Sequence, residues 1–300
     1  MRRPRERLMH SAIDRVFDAA TLAAYSDYLS KASASAHAEH VRHRHDVLSA
    51  HGAGPGEPAH ARRQRRLRAQ RAVLDAYIEA AYVCGVLDEQ LTERLRAIDP
   101  SVHSAAVATC LACWVFGGML GCRVSSRSVG GGVELGVSSL SDTYAIDVRI
   151  PELTADGAHG ITSALAASPR RAAPHAKNLL VLVPSFRSAQ RTDRAVLERA
   201  LVGDLAMDAQ GGTGWLAERP EVSAVVVIEV LETSGSDEPT EPGDLGAWTP
   251  RRTTPDSDLW PEHGVVVVHN PFASAPTKDT TFARFPELVK RGPALVWTDA

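Results

Sequence analysis

The sequence predicts an α/β fold in which a central mixed sheet is flanked by helices and preceded by a helical N-terminal region. Three observations indicate this class. The first hundred residues lack strand patterns and are rich in Ala, Arg, Leu and His. Apolar runs typical of buried strands follow after residue 100, and helical patterns alternate with them. We therefore expect a helical, arginine-rich region over residues 1–100 and an α/β domain over residues 101–300.

The helical region contains two segments with apolar residues at helical spacing, residues 11–28 and 62–97. Between them the sequence HGAGPGEP, at residues 51–58, predicts a flexible break. Pro100 ends the region, and Ser101 can cap the next helix. The periodic apolar residues of the second segment include Val73, Leu74, Tyr77, Ile78, Ala81 and Tyr82.

The α/β domain begins with a helix over residues 102–120, which is apolar nearly all round and is therefore expected to be buried. A first strand is predicted at residues 122–129, and a hairpin at residues 133–153 supplies the second and third. Further strands are predicted at residues 178–183, 222–231 and 264–269, helices at 161–167 and 193–201, and a mobile acidic excursion near 232–260.

The hairpin, VELGVSSLSDTYAIDVRIPEL, carries two carboxylates on its more polar face. Alternation assigns Glu134 to this face of the second strand and Asp147 and Arg149 to the same face of the third. If the turn centres on Leu140 and Ser141, Glu134 lies directly opposite Asp147. Opposed carboxylates repel one another, so a bound cation, a proton or a nearby arginine would relieve the pair, unless both side chains simply reach solvent.

The order of elements around this hairpin resembles the PD-(D/E)XK nuclease-like superfamily over roughly residues 101–285. In that family an acid on the second strand and an acid-x-lysine on the third hold a divalent metal. Glu134 stands at the first acid, and Asp147-Val148-Arg149 stands at the acid-x-lysine. The late strand followed by HNPFASAP, at residues 269–276, is also similar. The resemblance implies that Glu134 and Asp147 bind Mg²⁺ and that Arg149 meets a phosphate.

The chain departs from the family pattern in ways that bear on catalysis. The first motif lacks the proline and aspartate of the family name, Arg149 replaces the lysine, and the preceding helix has no glutamate between Ser101 and Leu120. Arginine stabilises phosphate charge but stays protonated and cannot act as a base. We therefore expect a nucleic-acid-associated protein that is weak or inactive as a nuclease. The alternative is a non-enzymatic scaffold that docks a protein partner through the N-terminal helices.

The segment ARRQRRLRAQR, at residues 61–71, is the feature that favours nucleic acid as a partner. Arginines on one helix can contact phosphates and so add salt-sensitive, sequence-independent affinity. The same run is also typical of a solvated helix end. Aromatic residues are sparse here, so stacking on single-stranded bases is not indicated. The candidate phosphate-contacting residues are Arg62, Arg63, Arg65, Arg66, Arg68 and Arg71.

Histidine and cysteine groups elsewhere have simpler explanations than a metal. The segment HAEHVRHRH, residues 37–45, places His37 and His40 on one helical face as zinc pairs do, but its arginines favour a solvated basic face. Cys110 and Cys113 form a CxxC inside an apolar helix with no second cysteine pair. We therefore expect them, like Cys122, to pack in a core.

Composition and charge are those of an ordinary globular protein. Apolar residues make up 44% of the 300 residues, charged residues 23%, and the net charge is −3, so bulk charge names no partner. Four cysteines in a chain of this length do not make a disulfide framework. No signal-like apolar run follows the charged N-terminus, and no run of about 18 apolar residues predicts a membrane span. We expect a cytoplasmic protein without a membrane partner.

Overall fold

The computed structural model describes residues 11–50, 58–129, 132–140, 142–151, 177–184, 194–203, 214–231, 246–248, 262–277, 282–291 and 294–298. The chain forms two compact units, Met1–Trp114 and Val115–Ala300. The described part of the first unit is helical, and that of the second contains a mixed sheet with helices, so the predicted α/β class is confirmed. That residues 1–100 and 101–300 form separate domains stays a prediction.

Four described helices of the first unit begin at a residue whose side chain caps the backbone. The described helices of this unit are α1 (Ala12–Val16), α2 (Ala19–Lys31), α3 (Ala36–Leu48), α4 (Pro58–Val83), α5 (Glu89–Arg96) and α6 (Pro100–Cys113). Asp18 accepts a hydrogen bond from the Thr21 N–H at 2.8 Å, and this cap divides the single helix predicted over 11–28 into α1 and α2. Gly85, at φ 69°, adopts a left-handed conformation in the turn just after α4, so the predicted helix over 62–97 is also two helices.

Helix α3 covers the histidine-rich segment, which the sequence patterns do not predict as a helix. Its apolar stripe is thin, because Ala38, Val41, Val47 and Leu48 are its buried apolar residues. Arg44 is buried beside them and donates from its guanidinium to the carbonyls of residues 97 and 98. The predicted break over 51–58 lies outside the described residues except for the first residue of α4.

Helix α6 is the apolar helix whose burial the sequence predicts, and that prediction is confirmed for residues 106–116. Asp99 caps it and Pro100 occupies its first turn. The helix continues as a π-helical segment, Trp114–Met119. Among the described helices, Pro100–Met119 is long and apolar enough to cross a membrane, with a mean hydropathy of 1.5, but 67% of that apolar window is buried. A core helix of a soluble protein has the same properties, so the membrane prediction remains a prediction.

The second unit is built on one mixed sheet. Three strands form an antiparallel meander, and β4 and β5 then run parallel to β3. Strand β7 is antiparallel to β5, β8 is parallel to β7, and β9 is antiparallel to β8. The order is β1-β2-β3-β4-β5-β7-β8-β9, with β6 paired to β7. The strands are β1 (Arg123–Val129), β2 (Gly132–Ser138), β3 (Thr143–Arg149), β4 (Lys177–Leu182), β5 (Val222–Leu231), β6 (Gly246–Trp248), β7 (Glu262–His269), β8 (Glu287–Arg291) and β9 (Ala294–Thr298).

Six of these strands occur where the sequence predicts them, and β6, β8 and β9 were not predicted. Residues 246–248 form the short strand β6 within the expected excursion, whose mobility stays a prediction. The rest of 232–260, apart from β6, and the predicted helix at 161–167 lie outside the described residues.

Helix α7 (Arg194–Leu201) covers one face of the sheet. Leu197 and Leu201 are fully buried in a cluster that includes Leu180 of β4, Val225 of β5 and Val268 of β7. The cluster does not extend to β3, so the same face of β3 is left only half-buried towards the end of the strand. This is the face that carries Asp147 and Arg149.

Candidate functional site

The hairpin has the register that the sequence predicts. Strands β2 and β3 pair from Ser138 and Thr143 to Leu135 and Ile146, so the turn is centred on residues 140 and 141. The next position along β2 is Glu134, whose backbone pairs with Arg127 of β1 on its other side. The side chain of Glu134 lies outside the described residues, so its role as a metal ligand stays a prediction.

Asp147 and Arg149 form an ion pair along β3. The two residues lie on the same face because they are two positions apart in a strand. The Arg149 Nε donates to Asp147 Oδ2 at 3.0 Å, and the side chains of Arg149 and Asp147 are 38% and 39% exposed, respectively. The Asp147 carboxylate is therefore neutralised by a neighbouring guanidinium at a partly solvated position. A nearby arginine was one of the ways in which we expected the repulsion between Glu134 and Asp147 to be relieved.

This arrangement is a poor fit for Mg²⁺ as it stands. Mg²⁺ requires close to six oxygen ligands in octahedral geometry. Asp147 is the one predicted ligand whose side chain is described, and a metal at its Oδ2 would have to displace a fixed positive charge. Among the described residues, no three or more His, Cys, Asp and Glu side chains are grouped to hold a metal ion. Magnesium therefore remains a prediction that depends on Glu134.

The arginine run lies on α4 and divides into outward and inward residues. Arg63, Arg65 and Arg66 are exposed. Arg63 also donates to Asp46 at 2.7 Å, in an ion pair whose arginine side is 68% exposed. Arg62 has a side chain outside the described residues.

Arg71 and Arg68 are used within the first unit. Arg71 is 15% exposed at its side chain and donates to the Leu48 carbonyl and to Asp14, each at 2.5 Å. Arg68 is half-buried, and its Nε donates to the Gln64 carbonyl of its own helix at 3.4 Å. Arg71 thus ties α4 to the end of α3 and to α1.

The histidines of α3 contact protein groups. The His37 ring lies 5.6 Å from the Tyr28 ring, and the His45 Nε2 lies 3.1 Å from the Ser26 hydroxyl. His40 packs edge-on against His103, a buried histidine of α6 that the sequence patterns did not single out. Burial lowers the pKa of His103 to about 3, and the positive charge of Arg44 acts in the same direction. His103 is therefore neutral at physiological pH, with its Nδ1 2.7 Å from the Leu95 carbonyl.

A hydroxyl, an imidazole and a carboxylate meet at the end of β7, and this group was also missed. His269 Nδ1 contacts the Thr277 hydroxyl, and His269 Nε2 lies 3.2 Å from Glu287 Oε2 at the start of β8. The side chains of His269 and Glu287 are largely buried, and the Phe282 ring packs edge-on against the imidazole. The loop HNPFASAP was the signal in the sequence, but only the fold brings Glu287 to it.

The loop after β7 is fixed by buried hydrogen bonds. Asn270 is 3% exposed, and its amide nitrogen donates to the carbonyls of Leu216, Arg219 and Val222 at 2.8–3.2 Å. Ser223 donates from its hydroxyl to the Ala275 carbonyl at 2.7 Å. These bonds hold the loop that carries Thr277 towards His269.

The His269 group and the Asp147–Arg149 pair lie on opposite faces of the sheet. The backbone pairing links Asp147 to Leu180, Leu180 to Val225 and Val225 to Val268, and residues paired in this way share a face. His269 follows Val268 and therefore points to the other face. The structure thus does not combine the two groups into one site.

Comparison with known proteins adds no support to the resemblance to the nuclease-like superfamily, which rests on the residues of this chain alone. No protein-family model matches the chain, and neither a curated protein nor a solved structure matches it.

Proposed function

We propose that this protein binds nucleic acid and is weak or inactive as a nuclease, because Arg149 occupies the place of a catalytic cation at Asp147. The observation that carries the proposal is the 3.0 Å ion pair between these half-buried side chains on β3. The order of elements supports it: an antiparallel meander containing the acidic hairpin is followed by the parallel strands β4 and β5.

Charge balance gives the physical reason. In metal-dependent hydrolysis a divalent ion activates water and neutralises the phosphate. A guanidinium can do only the second, since it carries one charge and keeps its proton. Arg149 can therefore meet a phosphate, but at the site as described it supplies no hydroxide. Asp147 orients the guanidinium and at the same time repels the phosphate.

The experiment measures duplex binding and cleavage by the parent chain and by single variants at this pair. Arg149→Ala should weaken binding. Asp147→Ala should strengthen it, because it removes a repelling carboxylate and releases the guanidinium, with changes of up to about fivefold in each direction as expected for a partly exposed pair. Arg123→Ala is the matched control, since Arg123 is an exposed arginine of β1 in the same unit.

Cleavage with Mg²⁺ or Mn²⁺ separates the proposal from an active nuclease. We expect little or no cleavage by the parent. Robust cleavage that Asp147→Ala abolishes would overturn the proposal and make Asp147 a metal ligand in an enzyme. The variant Asp147→Glu with Arg149→Lys restores the acid-x-lysine, and a gain of metal-dependent cleavage in it would support a nuclease ancestry.

A protein-binding scaffold is the second candidate, and an exposed apolar end of α4 favours it. Tyr82 and Val83 are 53% and 76% exposed. Single large apolar side chains are common at the surface, whereas contiguous apolar patches mark docking surfaces, and these two residues would form part of such a patch. Absence of duplex binding by the parent at low salt would reject the nucleic-acid proposal and leave this one.

A further inference from the structure

A histidine lies between a hydroxyl and a carboxylate at the end of β7. His269 is the last residue of β7, and Glu287 is the first residue of β8, which runs parallel to β7. Glu287 is paired with Val267, and His269 is two positions beyond Val267, so the side chains of His269 and Glu287 share a face of the sheet. Strand register therefore sets the 3.2 Å contact between His269 Nε2 and Glu287 Oε2.

The carboxylate determines which nitrogen of the imidazole carries the proton. An ionised carboxylate can only accept a hydrogen bond, so the neutral His269 ring places its proton on Nε2, facing Glu287. The lone pair of Nδ1 then accepts the hydrogen bond that the Thr277 hydroxyl donates. Hydroxyl, imidazole and carboxylate thus stand in the order of nucleophile, general base and orienting group, which is the order that activates a hydroxyl for attack.

The segment that carries Thr277 is positioned by hydrogen bonds that are independent of the three groups. The Ser274 N–H donates to the Pro220 carbonyl at 2.7 Å, and the Ser223 hydroxyl donates to the Ala275 carbonyl, also at 2.7 Å. These bonds tie the segment to the start of β5. The hydroxyl is therefore held against the base before any reagent binds, which lowers the entropic cost of reaction.

The surroundings of the group indicate which reagent it could accept. The side chains of His269 and Glu287 are 16% and 15% exposed, whereas Thr277 is half-buried beside the exposed Pro276. The ring of Phe282, which is fully buried, lies 6.3 Å from the imidazole. A small molecule from solvent can therefore reach the hydroxyl while the base is largely shielded from water. The aromatic ring and the carboxylate favour a small uncharged acyl group over an anionic one.

We propose that Thr277 is a nucleophile that takes a small uncharged acyl group from an ester, with His269 as its general base and Glu287 as the positioning residue of that base. The Thr277 oxygen attacks the ester carbonyl carbon while His269 Nδ1 takes the hydroxyl proton. The bond between that carbon and the leaving alcohol oxygen breaks, and Nδ1 returns the proton to this oxygen. Thr277 is then an acyl ester, and the alcohol is released.

Water completes the reaction by the same path. A water molecule attacks the acyl carbon, His269 Nδ1 takes a proton from it, and the bond to the Thr277 oxygen breaks. Nδ1 then returns the proton to this oxygen, and the carboxylic acid leaves. The reaction needs neither a metal nor nucleic acid, and the group lies on the opposite face of the sheet from Asp147 and Arg149, so it is independent of the function proposed above.

The test treats the full-length protein with p-nitrophenyl acetate, follows the release of p-nitrophenol, quenches samples with acid at early times and locates the acetyl group by peptide mass spectrometry. We expect an acetyl ester on Thr277 that hydroxylamine removes, whereas acetyl amides on lysines, including the adjacent Lys278, resist hydroxylamine. The chain unfolded in urea should not form the ester. Thr298→Val is the matched control, because the Thr298 hydroxyl donates to the Glu287 carbonyl and has no base, and it should leave the acetylation of Thr277 unchanged.

Variants of the three residues separate their roles. Thr277→Val should abolish the ester, and Thr277→Ser, which keeps a hydroxyl, should still form it. His269→Gln should slow acetylation of Thr277 by about 100-fold, as expected for loss of a general base. Glu287→Gln should slow it by about tenfold, and Glu287→Asp, which keeps the carboxylate, should recover part of that loss, which a merely structural role for Glu287 would not produce.

The outcome on the parent chain decides if a variant does not fold by circular dichroism. No acetyl ester at Thr277 in the parent, or equal labelling of Thr277 in the native and the urea-unfolded chain, would overturn the proposal. Unchanged acetylation of Thr277 in a folded His269→Gln variant would also overturn it, because the hydroxyl would then react without its base.

Discussion

At the scale of single residues, the first unit uses charged and titratable side chains as structural parts. Arg44 is buried, donates to two carbonyls of the segment before α6 and lies over the Tyr25 ring. His103 packs close to it with the rings of Phe17 and His40. A histidine in such a place stays neutral, because burial and the charge of Arg44 both oppose protonation. The sequence shows these residues only as parts of polar patterns, since their burial depends on neighbours that are distant in the chain.

His103 makes the stability of the first unit depend on pH. Its pKa is about 3 in the folded chain and about 6.5 unfolded, so the unfolded chain binds the extra proton between these values. The contribution of neutral His103 to the free energy of unfolding is fully present above pH 6.5, and it is lost as the pH falls below that value. Between pH 7 and pH 5 the free energy of unfolding should fall by about 2 kcal/mol from this residue. In His103→Gln this decrease between pH 7 and pH 5 should disappear, as measured by urea unfolding followed through the helical circular dichroism signal.

Asp99→Asn is the control for this prediction. Hydrogen bonds from the Ser101 side chain and from the backbone of the first turn lower the pKa of Asp99 below 3.8, so its contribution is lost only in more acidic solution. The control should therefore match the parent between pH 7 and pH 5. A parent-like slope in His103→Gln would mean that another group binds the proton.

At the scale of elements, helix ends decide where the sequence-based prediction departs from the structure. The apolar spacing of residues 62–97 continues through Gly85, so periodicity alone predicts one helix. The αL turn at Gly85 and the cap at Asp88 then start α5 in a new direction. Buried apolar strands were predicted well because their signal is local. Strands β8 and β9 are short and depend on pairing with each other and with β7, which no local pattern shows.

At the candidate site, too, local features were predicted from the sequence and long-range contacts were not. The hairpin register was predicted from alternation and the turn position, both local properties. The commitment of Arg71 to Asp14 and Leu48, and the approach of Glu287 to His269, require packing between distant segments. Sequence patterns therefore predicted which residues share a strand face, but not which charged side chains already have partners within the fold.

The cap at Asp88 gives a prediction for α5. Its carboxylate accepts the Leu91 N–H at 2.7 Å, and α5 buries Leu91 and Leu95. Asp88→Ala should lower the free energy of unfolding by about 1 kcal/mol, while Asp88→Asn, which keeps an acceptor at the cap, should stay close to the parent. Chemical denaturation of both variants measures the difference. An equal loss in the two variants would attribute the effect to the charge of Asp88 instead of its cap.

At the scale of the whole molecule, the net charge of −3 opposes binding to nucleic acid, so any such binding must come from a local positive surface. The exposed arginines of α4 supply one candidate, and Arg149 on the second unit supplies another. Their contributions differ in kind. In the proposal, the exposed α4 arginines would each add a phosphate contact, whereas Arg149 would act against the carboxylate that holds it.

The last prediction concerns the three exposed arginines of α4. Replacing Arg63, Arg65 and Arg66 together by alanine should weaken duplex binding and lower the log–log salt slope by about 0.9 for each lost phosphate contact. The matched control replaces three exposed arginines of the second unit and changes the net charge equally; they are Arg123, Arg284 and Arg291. Affinity measured across a salt series separates local contact from bulk charge. Equal slopes in the two triple variants would show that net charge, and not the α4 surface, sets the affinity, because only direct contacts release counterions from particular phosphates.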